Sequence, residues 1–134
     1  MVPLDAETAA IEILADALPK VRTGTVVPET LADHTPYIHL ARVDGRVVMP
    51  TWARGPLIDT THLALTCWDG PDLADARTLC REAVAALVCA RGRVLCGGST
   101  LTRAVHLSGP SWLPDDHAPN GLWRFVAQTA LTIH

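Results

Sequence analysis

The stretch LIDTTHLALTCW, residues 57 to 68, constrains the fold of this chain more than any other segment. Side chains alternate across a strand, so Leu57, Asp59, Thr61, Leu63, Leu65 and Cys67 share one face. Ile58, Thr60, His62, Ala64, Thr66 and Trp68 share the other. Toward the C-terminal end both faces are partly apolar. A strand of that kind is central in its sheet and covered on both sides at that end. Asp69-Gly70-Pro71 then breaks it.

The segments around this strand set the fold class. A helix is expected to start near Asp5, whose carboxylate can cap free N–H groups, with Glu7 complementing the dipole. Ile11, Leu14, Ala15 and Leu18 fall at helical spacing, and Pro19 ends the element. VRTGTVV reads as a short strand closed by Pro28, and PETLADHTP as a single helical turn or a loop. YIHLARV, residues 37 to 43, reads as a strand, and Asp44-Gly45 as a hairpin turn into RVVMP. MPTWARGP reads as an irregular loop. Asp72 caps a second helix with Asp75 in its first turn, and Ala76, Leu79, Cys80, Ala83, Leu87 and Ala90 form its apolar stripe. Arg91-Gly92 ends it. Gly97-Gly98 is a connection that needs positive φ. A strand LTRAVHL follows, then a decorated loop, LSGPSWLPDD, residues 107 to 116. In the closing LWRFVAQTALTIH, Trp123, Phe125, Ala127, Thr129, Leu131 and Ile133 alternate with Arg124, Gln128 and Thr132.

Strands arrive in consecutive runs rather than in strict βαβ alternation. This predicts an α+β sandwich: a mixed, largely antiparallel sheet of about four to five strands with two helices packed on one face. At 134 residues the whole chain, 1 to 134, is expected to be one domain. A chain of this size buries roughly two-thirds of its unfolded surface and needs no disulfide or metal staple.

Composition narrows the function classes. The net charge is −3, and the 11 basic residues are scattered, which is unlike a nucleic-acid grip. No apolar run approaches the ~20 residues of a membrane span, and MVPLDAETAA lacks the regions of a secretory signal. Folding in a reducing cytoplasm is expected. Cys67, Cys80, Cys89 and Cys96 form no C-x-x-C pair and read as small buried hydrophobes.

Catalytic patterns are weak. The serines in GGST and SGPS do not match G-x-S-x-G. His34, His39, His62, His106, His117 and His134 lack metal-ligand spacing, although His39 and His62 lie on strands and could meet across a sheet. Asp115 and Asp116 are adjacent and point apart in an extended loop, which suits a solvated tip better than an acid–base pair. No phosphate-binding glycine loop occurs. No catalytic residue, cofactor or metal is therefore expected. Two loops rich in Pro, Gly, Trp and Arg stand out instead, MPTWARGP and SGPSWLPDD. An exposed Trp on such a loop is covered either by its own sheet edge or by another subunit, where Trp and Arg are favoured contact residues.

Taken in order, PLDAETAAIEILADALPKVRTGTVVPE, PYIHLARVDGR, RGPLIDTTHLALTCWD, ARTLCREAVAALV and HLSGPSWLPDDHAPNGLWRFVAQTALTIH resemble a phage family. The chain is similar to the tail terminator (tail completion, or minor tail) proteins of long-tailed phages infecting actinobacteria. The resemblance covers nearly the whole chain and rests on ordered structural loops, moderately specific as a set. It implies a non-enzymatic subunit, without cofactor, of a sixfold homo-oligomeric ring on the head-proximal end of the tail tube. Such a ring ends tube polymerisation and presents a docking surface to the head–tail connector, while genomic DNA passes through the bore without specific binding. It implies a place in the virion, and in the host cytoplasm during assembly, with no membrane partner. The four cysteines, and the close at His134 without a longer basic tail, depart from the family pattern.

A ring needs a patch that meets a different patch on its neighbour. The two decorated loops are then the expected subunit or tube contacts, with Trp52, Arg54, Trp112, Asp115 and Asp116 as anchors. Rival readings are a head-closure or connector adaptor of the same joint, a host-takeover interaction protein, and a small cytoplasmic ligand-binding or enzymatic domain. The last would gather His39, His62 and a cysteine in one pocket.

Overall fold

The computed structural model describes residues 5–51, 55–114 and 121–134, with backbone alone for 44–51 and 55–59. Helix α1 spans Ala6–Ala17, strand β1 Arg22–Gly24, a 3-10 turn Leu31–His34, β2 Tyr37–Thr51 and β3 Gly55–Asp69. Helix α2 spans Leu73–Cys89, β4 Leu101–Trp112 and β5 Trp123–Ile133. The strands form one five-stranded sheet in the order β1-β2-β3-β5-β4. β1 runs parallel to β2, and every other neighbouring pair is antiparallel. Both helices pack into one core on one face. This is the α+β sandwich that the order of segments predicts.

β3 is central, as its two-sided pattern requires. Thr61, Leu63, Leu65 and Cys67 are buried beneath the helices, beside Phe125, Ala127, Thr129, Leu131 and Ile133 of β5. On the opposite face, Trp68 packs with Leu31 and Tyr37 into a second, small cluster. The cluster sits at the C-terminal end of β3, where both faces were expected to be covered. The chain between β1 and β2 provides that cover. The Tyr37 hydroxyl donates to the Val26 carbonyl, and His39 Nε2 is 3.0 Å from the Thr25 carbonyl. These bonds occupy the carbonyls that a longer first strand would use. VRTGTVV therefore forms a ladder only over Arg22–Gly24.

Both helix starts follow their caps. The Asp5 carboxylate accepts from the Thr8 N–H at 3.4 Å, and the Asp75 carboxylate accepts from the Asp72 N–H at 3.3 Å. The stripe on α2 is as expected, with Val84 added and Ala90 moved to the C-cap. The stripe on α1 is a correction. Its buried residues are Ala6, Ala9, Ala10, Ile13 and Leu14, whereas Ile11 and Leu18 lie at the margin and Ala15 is exposed. α1 is wedged against α2 as well as β1 and β2. Alanines permit that close approach, so small side chains set the buried face.

Asp44-Gly45 makes no hairpin turn. β2 runs through both residues, pairing them with His62 and Thr61, and a register shift between Arg42 and Asp44 places a bulge at Val43. The long ladder offered by β3 outweighs the local turn preference, and the bulge absorbs the misfit. MPTWARGP is likewise mostly strand: Met49–Thr51 belongs to β2 and Gly55–Pro56 to β3. LSGPSWLPDD is strand as far as Trp112. Register shifts between His106 and Ser108 and between Ser108 and Ser111 let β4 carry Gly109-Pro110. Gly109 has φ 82°, and a Cβ there would collide with the Val126 carbonyl.

Candidate interaction surface

The end of β4 is built as a fixed platform. Trp112 sits opposite Phe125 in the β4–β5 ladder, and its ring packs on Trp123 with centroids 5.9 Å apart at 55°. Trp123 is held in turn, since its indole Nε1 donates to the Pro71 carbonyl at 2.9 Å. Arg124 pins the chain that leaves the strand. Its Nε donates to the Leu113 carbonyl at 3.0 Å and its guanidinium to the Pro114 carbonyl at 2.7 Å. The Leu113 N–H returns a bond to the Arg124 carbonyl at 2.9 Å. Trp112 is nonetheless 53% exposed. A large aromatic held in one place yet left open to solvent loses little entropy when a partner covers it.

Trp112 is the one expected anchor that lies among the described residues. Trp52, Arg54, Asp115 and Asp116 lie outside them. Arg124 and Trp123 were read only as positions in an alternating strand, yet they hold the Trp112 platform. The available signal was an Arg directly after a Trp at the return of a decorated loop.

A second feature runs along the same edge of the sheet. An open groove of about 390 Å³ separates α2 from β4 and is lined by Arg81, Val84, Ala85, Val88, Cys89 and Pro110, with His106 beside them. Leu107 and Leu113 are exposed further along this edge. The groove was missed because α2 was read for its buried stripe, while Ala85 and Val88 flank that stripe.

The pocket expected by the ligand-binding reading is not formed. His39 and His62 lie on the same outer face, but their β3 rungs, Thr66 and His62, are roughly 13 Å apart by strand rise. Cys67 and Cys80 lie on the other face, in the core. A hydrogen bond that the Cys67 thiol donates to Cys80 pushes Cys67 well up, and burial adds to that. The same bond pulls the Cys80 thiol down, against its own burial. Of the two thiols Cys80 is therefore the easier to deprotonate, and Cys67 is the one that keeps its proton. Among the described residues, no group of three or more His, Cys, Asp or Glu is placed to hold a metal ion. Among them, no helix is long and apolar enough to cross a membrane.

No protein-family model matches the sequence, and a search of curated proteins finds no relative.

Proposed function

We propose that this chain is a subunit of a ring that caps the head-proximal end of a phage tail tube, ends tube growth and offers the docking surface for the head. The observation that carries the reading is Trp112, fixed by Trp123 and by the Arg124 clamp but still half-exposed. This is how an interface anchor is prepared for a partner. The α+β fold and the resemblance along the whole chain support it. So does the length of the β2–β3 hairpin. β5 pairs with β3 only from Asp59 onward, so the paired strand ends, Met49–Thr51 of β2 and Gly55–Ile58 of β3, extend past β5. The ring contains several copies of this chain, contacts the tube protein on one side and the head connector on the other, and carries out no chemistry.

The test is tube capping. Purified tail tubes with this protein added should stop elongating and show a ring at one end by electron microscopy. Trp112→Ala should reduce the capped fraction at least about tenfold, the usual loss at a contact hot spot. Full capping by that variant would remove Trp112 from the interface. No association of the wild-type protein with tube ends would end the tail-terminator reading.

A further inference from the structure

Two thiols meet where α2 begins to cross β3. Cys67 stands on the helix-facing side of β3, two residues before Asp69 ends the strand, which is about 7 Å of strand rise. Gly70-Pro71 turns the chain back. Cys80 closes the second turn of α2, about 10 Å along the helix from Leu73. That turn comes to rest over the last rungs of β3, where Thr78 and Leu79 border the same depression as Asp69. Both cysteines are free, fully buried and members of one apolar cluster with Leu65, Ala76 and Leu79. The Cys67 thiol donates a hydrogen bond to the Cys80 sulfur.

Packing alone accounts for each cysteine as a small apolar side chain. Their adjacency adds chemistry, because two sulfurs already in contact need only lose two electrons to join. The pair also lies behind the Trp112 platform. Cys67 is the rung partner of Phe125, and Phe125 is the rung partner of Trp112. The chain between the two cysteines contains Pro71, whose carbonyl holds the Trp123 indole. A bond between the sulfurs would close that segment, residues 67–80, into a covalent loop.

We propose that Cys67 and Cys80 form a redox modification site, kept as two thiols in reducing surroundings and joined as a disulfide by a peroxide. In the first step the Cys80 thiolate attacks one oxygen of hydrogen peroxide. The O–O bond breaks, the leaving hydroxide takes up the proton that Cys80 gave away, and Cys80 becomes a sulfenic acid. In the second step the Cys67 sulfur attacks the Cys80 sulfur. The S–S bond forms, the S–O bond breaks, and water leaves with the Cys67 proton. Two thiols have lost two electrons, and one peroxide has become two waters. Cys80 takes the first step because it is the easier of the two to deprotonate, and Cys67 keeps its proton until the second. Both sulfurs are covered, so the reaction waits on opening of α2 and is slower than oxidation of exposed Cys89 and Cys96. Cellular thiols return the pair to its reduced form. The inference stands apart from the ring and from tube capping.

The test uses the full chain carrying Cys89→Ser and Cys96→Ser, which removes the exposed thiols. Hydrogen peroxide should lower the intact mass by two hydrogens and leave no thiol to alkylate after denaturation. The melting temperature should rise by about 10 °C, as expected for a short closed loop in a chain of this size. Amide exchange through residues 69–75 should slow. Dithiothreitol should reverse each change. Adding Cys80→Ala should abolish the mass loss and the rise in melting temperature. A gain of oxygen with the sulfurs unjoined would overturn the proposal. So would two intact thiols at a time when Cys89 and Cys96 of the wild type are fully oxidised. A disulfide that lowers the melting temperature would also overturn it, because the sulfurs would then join only in a distorted chain. The same rise in the Cys80→Ala variant would place the effect elsewhere and overturn it too.

Discussion

Gly109 of β4 passes so close to the carbonyl of Val126 on β5 that no side chain fits between the two strands. Gly109 is also the turning point of the β4 bulges, with φ 82°. Two independent constraints, space and backbone angle, meet at one residue. Together they set where Trp112 leaves the sheet.

Gly109→Ala is therefore expected to cost about 2–4 kcal/mol, combining overpacking with a strained left-handed backbone. Chemical denaturation checks this. A variant as stable as the wild type would show that β4 takes another path here.

Arg124 clamps the chain that leaves β4, with two donors on consecutive carbonyls. Arg124→Met keeps much of the apolar stem and removes both donors. Stability should fall by only about 1–2 kcal/mol. Hydrogen exchange at the Leu113 amide should rise far more than global unfolding explains, because its strand end frays. Unchanged protection at Leu113 would mean that the ladder alone holds the stem.

Thr129 is fully buried and its hydroxyl has no hydrogen-bond partner among the described residues, which is a cost carried by the fold. Thr129→Val removes the hydroxyl at almost constant shape. The midpoint of denaturation should rise, by about 1 kcal/mol of stability. A loss of stability instead would show that the hydroxyl is satisfied in solution.

Asp69 ends β3 with its carboxyl raised, chiefly by burial. The Gly70 N–H that it accepts at 2.8 Å opposes the rise, and nearby Asp75 adds to it. The folded state thus holds the proton more tightly than the unfolded state. Its contribution to stability is full below the unfolded value and is lost as pH rises through the folded value. Asp69→Asn retains an oxygen for Gly70 and never charges. Its melting temperature should exceed the wild type's near neutral pH, and the difference should shrink as pH falls toward about 4. A pH-independent difference would remove burial of the charge as the cause.

The cysteines should separate cleanly in a labelling experiment. Cys89 and Cys96 are exposed, whereas Cys67 and Cys80 are buried against each other between β3 and α2. A thiol reagent at neutral pH should modify two sites per native chain and four after denaturation. Fast reaction of Cys67 in the native protein would mean that α2 lifts from the sheet.

Much of the fold was legible where one physical rule acted alone. Asp5 at α1 and the Asp72–Asp75 pair at α2 mark helix starts because short carboxylates accept amides locally. β3 and β5 were legible because alternation over ten residues or more has few other meanings. Local rules failed where a distant strand competed. Asp44-Gly45 prefers a turn, but β3 offers a partner at every rung, and a bulge is a smaller cost than abandoning the ladder. The face of α1 was misplaced because large side chains were sought, while much of the face that α1 buries is Ala6, Ala9 and Ala10. At the candidate surface, Trp112 was found by its chemistry. Arg124 was not, because its partners are backbone carbonyls, which carry no mark in a sequence.

The broken register of β4 has a consequence for the chain as a solute. An outer strand that shifts register three times and carries a proline cannot seed a growing sheet. Any added strand is then steered to the opposite edge of the sheet, where β1 covers only Tyr37–His39 of β2.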